Sequence, residues 1–290
     1  MAKTFAITLA GLSFLIDTPS DAWNQTLKKR YEAFLENRAS SDWRIHLRHD
    51  SRPPDPYGPW AIHDENQTRF QIGAHRGAIH LSSRTAEIST PSLDRAPSAL
   101  ARTIVFILTT SLPRERNGLL LHACGLSDVN TGKAFAFCGP SGAGKSTIAK
   151  LAHAGLQIMS DENVVVRLET PGPMLYSTPF WGQNTPESNI RRVRLQKPLA
   201  AIFILKQSPR WFLQPLRPMQ AIMELLATEK VAIERPQSAQ AWLDVAFRLV
   251  TQMPVYKLGF LPAKDLWSFL ASQKFPFKPG LSYIHYAAKH

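Results

Sequence analysis

Residues 139–146, Gly-Pro-Ser-Gly-Ala-Gly-Lys-Ser, fit the spacing GxxxxGK[ST], which serves phosphate chemistry. Gly139, Gly142 and Gly144 allow backbone angles and close approaches that a Cβ would block. Together with Pro140, Ser141 and Ala143 they form a loop whose successive N–H groups can turn inward onto phosphate oxygens, continued by Thr147 where a helix begins. Lys145 has the reach and charge for the β and γ phosphates of a nucleotide, and the Ser146 hydroxyl can complete the shell of a Mg²⁺ ion.

Two nearby segments carry groups that could act with this loop. Downstream, Leu156-Gln-Ile-Met-Ser160 leads into Asp161 and Glu162. An acid at the carboxyl end of a strand beside a phosphate loop can hold Mg²⁺ or take a proton from a hydroxyl nucleophile. On an extended chain adjacent side chains alternate faces, so the two acids are expected to point apart, one catalytic and the other a metal or supporting group. Upstream, His122 lies within the apolar run 119–127, either as a half-buried strand histidine or as a polar group beside a transferred phosphoryl.

Positioning these groups requires a particular order of elements. Ala134-Phe-Ala-Phe-Cys138 reads as an apolar strand delivering Gly139, and Thr147–Ala154 as the helix that follows, stopped by Gly155. Leu119–Ser127 reads as one strand, joined through the turn at 128–133 to the strand before the loop. Such a hairpin brings His122 to the strand end from which Gly139 departs. Strands alternating with helices from here onward make this region α/β, with a mixed sheet and flanking helices.

With the histidine-bearing strand, the hairpin, the glycine loop and the strand ending in an acidic pair, residues 119–166 resemble HPr kinase/phosphorylase. More closely they resemble the HPr-kinase-like proteins that accompany peptide-modification clusters, including the lasso-peptide kinases; a looser resemblance runs to about residue 269. The resemblance implies an HPr-kinase/PEP-carboxykinase-like P-loop core that binds ATP and Mg²⁺. It implies that Asp161 is the base for an acceptor serine, that His122 flanks the phosphates, and that Ser146, with Asp161 and Glu162, holds the metal. The acceptor it implies is a peptide or protein, and it admits a homo-oligomer. Glu162 stands where the HPr enzymes have a second Asp, and Pro140 where they have an Asp after the first loop glycine. These departures leave open whether HPr itself is the acceptor and whether reverse phosphorolysis occurs.

Around this core the chain divides into an α+β N-terminal region over residues 1–98, a kinase-like region over 99–275, and a basic, aromatic tail over 276–290. Phe5 to Ile16 reads as a strand pair around Gly11, and 20–37 as an amphipathic helix capped by Ser20. Trp43–Leu47, Thr68–Ile72 and Ala78–Leu81 read as strands, and the Pro-rich run 52–60 as a connection that cannot continue a sheet. Ala99–Leu112 is an apolar helix expected to stop at Pro113. In Ser177-Thr-Pro-Phe-Trp-Gly182 the aromatic pair serves either packing or substrate contact. Arg191, Arg192 and Arg194 form either a solvated basic loop or a site for phosphate or an acidic peptide.

With Lys plus Arg at 34 against 22 for Asp plus Glu, the chain of 290 residues carries a formal charge of +12. An anionic partner suits that excess, yet no helix-turn-helix, RNP or zinc-finger pattern asks for nucleic acid. No segment has the length and apolarity of a membrane span, and two cysteines cannot build a disulfide framework, which points to the cytoplasm. A second function class, a P-loop ATPase or nucleotide-dependent switch without an acceptor, shares the loop. The short span from Ser146 to Asp161 favours the compact kinase arrangement.

Overall fold

The structure is a computed structural model that describes residues 3–37, 40–54, 56–64, 66–182, 192–228, 236–261 and 265–273. Arg191 and the tail after residue 273, both singled out by the sequence, lie outside these described residues. The chain forms two compact units, 1–116 with 235–239, and 117–234 with 240–290.

The first unit is built on an eight-stranded sheet in the order β3-β1-β2-β4-β8-β7-β6-β5. Its strands are β1 (Lys3–Leu9), β2 (Leu12–Thr18), β3 (Leu35–Glu36), β4 (Trp43–His49), β5 (Trp60–His63), β6 (Gln67–Ile72), β7 (His75–His80) and β8 (Thr85–Thr90). The strand pair expected around Gly11 is present in full register, from Lys3 opposite Thr18 to Leu9 opposite Leu12. Its two turn residues, Ala10 and Gly11, both have positive φ, as the tight turn between right-twisted strands demands. Helix α1 spans Asp21–Arg30 and stops well short of residue 37. The chain instead forms a 3₁₀ turn, Glu32–Phe34, and then pairs Leu35 with Ile7 of β1. That burial of Phe34 overrides the helical spacing read from the sequence.

Helix α2 runs Ala96–Glu115 and continues through Pro113. A proline one turn from a helix end removes its own N–H and disturbs one carbonyl, while Arg116 N–H still reaches Leu112 O at 3.1 Å. By its contacts with β7 and β8, α2 groups with the first unit, although the sequence reading sets it at the head of the second region.

The second unit is a nine-stranded mixed sheet with helices on both faces. Its strands are β9 (Gly118–Leu121), β10 (Ala123–Asp128), β11 (Ala134–Cys138), β12 (Leu156–Ser160), β13 (Val164–Leu168), β14 (Pro173–Tyr176), β15 (Gln196–Gln207), β16 (Phe212–Pro215) and β17 (Val255–Phe260). Its helices are α3 (Lys145–Leu151), α4 (Pro218–Thr228), α5 (Pro236–Gln252, which belongs to this unit from residue 240 on) and α6 (Leu266–Ser272). Alternation along β11 divides the core. Ala134, Ala136 and Cys138 face a cluster with Ala221, Leu225, Trp242 and Leu249 of α4 and α5. Phe135 and Phe137 face Ile148 of α3 and Leu266, Trp267 and Leu270 of α6. Because both faces are covered, the strand reads as a continuous apolar run. Among the described residues, no helix is long and apolar enough to cross a membrane.

The direction of the strands decides where the polar groups meet. Strands β11, β15 and β17 are parallel, with Cys138 opposite Ile204 and Phe260 opposite Gln207, so their carboxyl ends lie side by side. Strand β10 is antiparallel to β11, with Ala123 opposite Cys138, so the start of β10 adjoins the end of β11. Strand β12 is antiparallel to β10, with Ser160 opposite Gly125, so it finishes at that same end. Residues just before β10, just after β11 and just after β12 therefore emerge together.

Candidate functional site

The chain bends at His122, and the single strand expected over 119–127 is in fact two. Strand β9 pairs with β13, while β10 pairs with β11 and β12. His122 sits at this break, half-buried, next to the pair Ala123–Cys138 and hence beside Gly139, as the hairpin reading requires.

After Cys138 the glycine loop turns on itself, with Ala143 N–H donating to Pro140 O at 3.1 Å. Gly142 and Gly144 have φ of +82° and +113°, a region that other residues enter at a cost. At Gly144 space is also exhausted, since an added Cβ would lie 2.6 Å from the Phe260 ring. Helix α3 starts at Lys145 and ends at Leu151, earlier at both ends than the span 147–154 read from the sequence. Ala152 already has extended angles, and His153 Nδ1 accepts the Gly155 N–H at 3.0 Å in the turn beyond.

Lys145 is buried, and its Nζ donates to Gly139 O at 2.7 Å and to Pro140 O at 3.0 Å. Burial lowers its pKa from the ordinary lysine value, while Glu162 and Asp161 are among the groups pulling the other way. The ammonium thus sits under the loop on backbone carbonyls, a place from which it can turn to an incoming phosphate. Behind it lies Cys124, whose thiol is fully buried and pushed far above its usual range by burial and by Asp161. Neither cysteine is in a disulfide, and both are buried.

At the end of β12 the chain leaves the extended conformation. Residues 161 and 162 form a bend and not extended chain, so the alternation expected of them does not apply, and both residues line the same cleft. The fully buried Ser160 organises this bend. Its Oγ accepts the N–H of Glu162 at 3.3 Å and of Asn163 at 3.2 Å, and donates to Phe180 O. Thr178 Oγ1 donates to Asn163 O, and Gly182 N–H donates to Asp161 Oδ1 at 2.8 Å. The segment 177–182 is thus a strap laced to the acidic turn, with Phe180 and Trp181 buried beneath it. Sequence reasoning noticed the aromatic pair and missed Ser160 and Gly182. No motif marks a backbone N–H lying 21 positions from its acceptor.

One cleft of about 360 Å³ gathers most of the candidate residues: His122, Ser141, Gly142, Gly144, Lys145, Ser146, Thr147, Asp161 and Glu162, with Gly182 at its edge. Neither Arg192 nor Arg194 lines it, and Arg192 Nε donates instead to Pro179 O of the strap at 3.2 Å. A hydroxyl and two carboxylates suit a hard divalent cation. Among the described residues no group of three or more His, Cys, Asp or Glu side chains is arranged to hold a metal ion by itself.

Compared with known proteins, residues 98–269, more than half of the chain, match a family model described as SynChlorMet cassette protein ScmC. That description names a cassette and no reaction. No curated protein matches the chain.

Proposed function

The chain belongs to the SynChlorMet cassette protein ScmC family, and we propose that it is an ATP-dependent kinase. In this reading the second unit is an HPr-kinase-like P-loop core that transfers the γ-phosphoryl group of ATP to a serine hydroxyl of a peptide or protein. The acceptor class is a ribosomally made precursor peptide, and the compartment is the cytoplasm, which suits two buried thiols outside any disulfide. The observation that carries the proposal is the convergence of the glycine loop, Lys145, Ser146, His122 and both acids on one cleft.

Each group has a task fitted to its place. The loop N–H groups and Lys145 neutralise and orient the phosphates. Asp161, held by the Gly182 N–H, accepts the proton of the acceptor hydroxyl. The acceptor oxygen forms its bond to the γ-phosphorus as the bond from that phosphorus to the β–γ bridging oxygen breaks, and ADP departs. Bound Mg²⁺ would supply charge neutralisation at the phosphates, with Ser146, Asp161 and Glu162 the residues placed to hold it. His122, beside Gly139, is a polar group at the phosphoryl side of the loop.

Incubating the full chain with ATP, Mg²⁺ and serine-containing peptides, then weighing the peptides by mass spectrometry, tests this reading. Phosphopeptide with the natural chain and none with Lys145→Ala supports it. Release of free phosphate with no modified peptide across the set would instead favour an ATPase or switch.

A further inference from the structure

The glycine loop has a second side. A cleft of about 530 Å³ lies there, lined by Gly142, Ala143, Gly144, Thr147, Gln207, Ser208, Pro209 and Phe260. It shares Gly142, Gly144 and Thr147 with the cleft that holds Lys145 and the acids, so the two flank one loop. Gln207, Ser208, Pro209 and Phe260 belong to no sequence motif, and the kinase reading leaves this cleft without a task.

We propose that this cleft takes the base and ribose of the nucleotide, an inference that rests on the kinase reading of the neighbouring cleft. Three observations converge on it. The first is position: the cleft sits at the carboxyl ends of β11, β15 and β17, the three parallel strands, which is where open α/β sheets hold ligands. The second is chemistry. Ala143, Pro209 and the Phe260 ring give it an apolar wall, while Gln207 and Ser208 add polar groups at the end of β15. A planar aromatic heterocycle needs that combination, and a phosphate does not. The volume falls within the range of small-molecule sites.

The third is connection. Gln207 Nε2 donates to Gly142 O at 2.7 Å, so one side chain of this cleft is bonded to the backbone of the loop itself. The Phe260 ring is fixed against Gly144 on one side and against Trp211, with ring centroids 5.9 Å apart, on the other. The wall of the cleft is therefore tied to the loop at two of its glycines. A nucleotide with its phosphates beside Lys145 would pass Thr147 and lay its base across this wall.

The test separates the base from the phosphates by using ATP and inorganic tripolyphosphate, each with Mg²⁺, on the full chain. Stacking one base is worth about tenfold or more in affinity, so ATP should bind at least about tenfold more tightly than tripolyphosphate. Ser208→Trp, which fills the cleft, should weaken ATP by a similar factor and leave tripolyphosphate unchanged. Equal affinity of the natural chain for ATP and tripolyphosphate overturns the base site while leaving the phosphate loop intact. Binding of neither ligand overturns the kinase reading and this inference with it. Should Ser208→Trp fail to fold, the comparison of the two ligands on the natural chain still decides.

Discussion

The backbone N–H of Gly182 donates to Oδ1 of Asp161 at 2.8 Å, joining the end of a strap to the turn after β12. The bond fixes the direction of a carboxylate that is only 2% exposed. Gly182→Pro removes this donor and nothing else from the side chains of the cleft. Hydrogen bonds to a charged group contribute about 1.5–3 kcal/mol, so phosphoryl transfer should slow by roughly ten- to a hundredfold. Nucleotide affinity, measured by calorimetry on the same protein, should hold. A parallel loss of both would mean that the strap supports the whole cleft and not Asp161 in particular.

Ser160 is the buried centre of the same turn. Ser160→Ala leaves the Glu162 and Asn163 N–H groups and the Phe180 carbonyl without it. The expected loss of stability is about 1–3 kcal/mol, read by urea denaturation. An unchanged midpoint would show that water replaces the hydroxyl.

Gly144 combines a φ of +113° with the Phe260 ring against its Cα. Gly144→Ala must either strain the backbone or move the ring. A cost of about 1–3 kcal/mol is expected, together with weaker nucleotide binding. Gly172, where an added Cβ would meet nothing within 4 Å, is the control whose alanine variant should behave as the natural chain.

Lys145 gives the site a pH dependence with a defined sign. Burial lowers its pKa in the chain alone from the ordinary lysine value. Bound phosphate favours the charged ammonium, so the complex holds that proton more tightly than the free chain. Affinity for ATP is then full below the free-chain pKa of Lys145. It falls, by at most about tenfold per pH unit, as pH rises through that value. Because the value lies below that of an exposed lysine, the decline should begin at lower pH than an exposed lysine would give. Titrations of ATP binding from neutral to alkaline pH check this, and Lys145→Arg should flatten the curve.

Much of this site was legible in the sequence because its parts are local. The loop is a run of consecutive residues, and the short hairpin at 128–133 carries His122 to its side through a two-strand register. The fold was legible where apolar runs are bounded by clear turns, as in β1, β2 and β11. It was less so where a propensity rule competes with packing. Pro113 lies inside α2 because the last turn has few bonds to lose, and Phe34 leaves the helical pattern to be buried. Short strands such as β14 and β16 were missed, since four residues give no period to read. The bend at 161–162 reverses a correct rule: alternation applies to extended chain, and Ser160 ends the extension.

The most direct measurement uses ATP labelled in its γ-phosphoryl group, the full chain, Mg²⁺ and a set of serine-containing precursor peptides. The account predicts label on a peptide serine with the natural chain, and at least about a hundredfold slower labelling with Asp161→Asn, which retains the shape but not the base. Label that appears only as free phosphate, or Asp161→Asn that labels the peptide as fast as the natural chain, would contradict it.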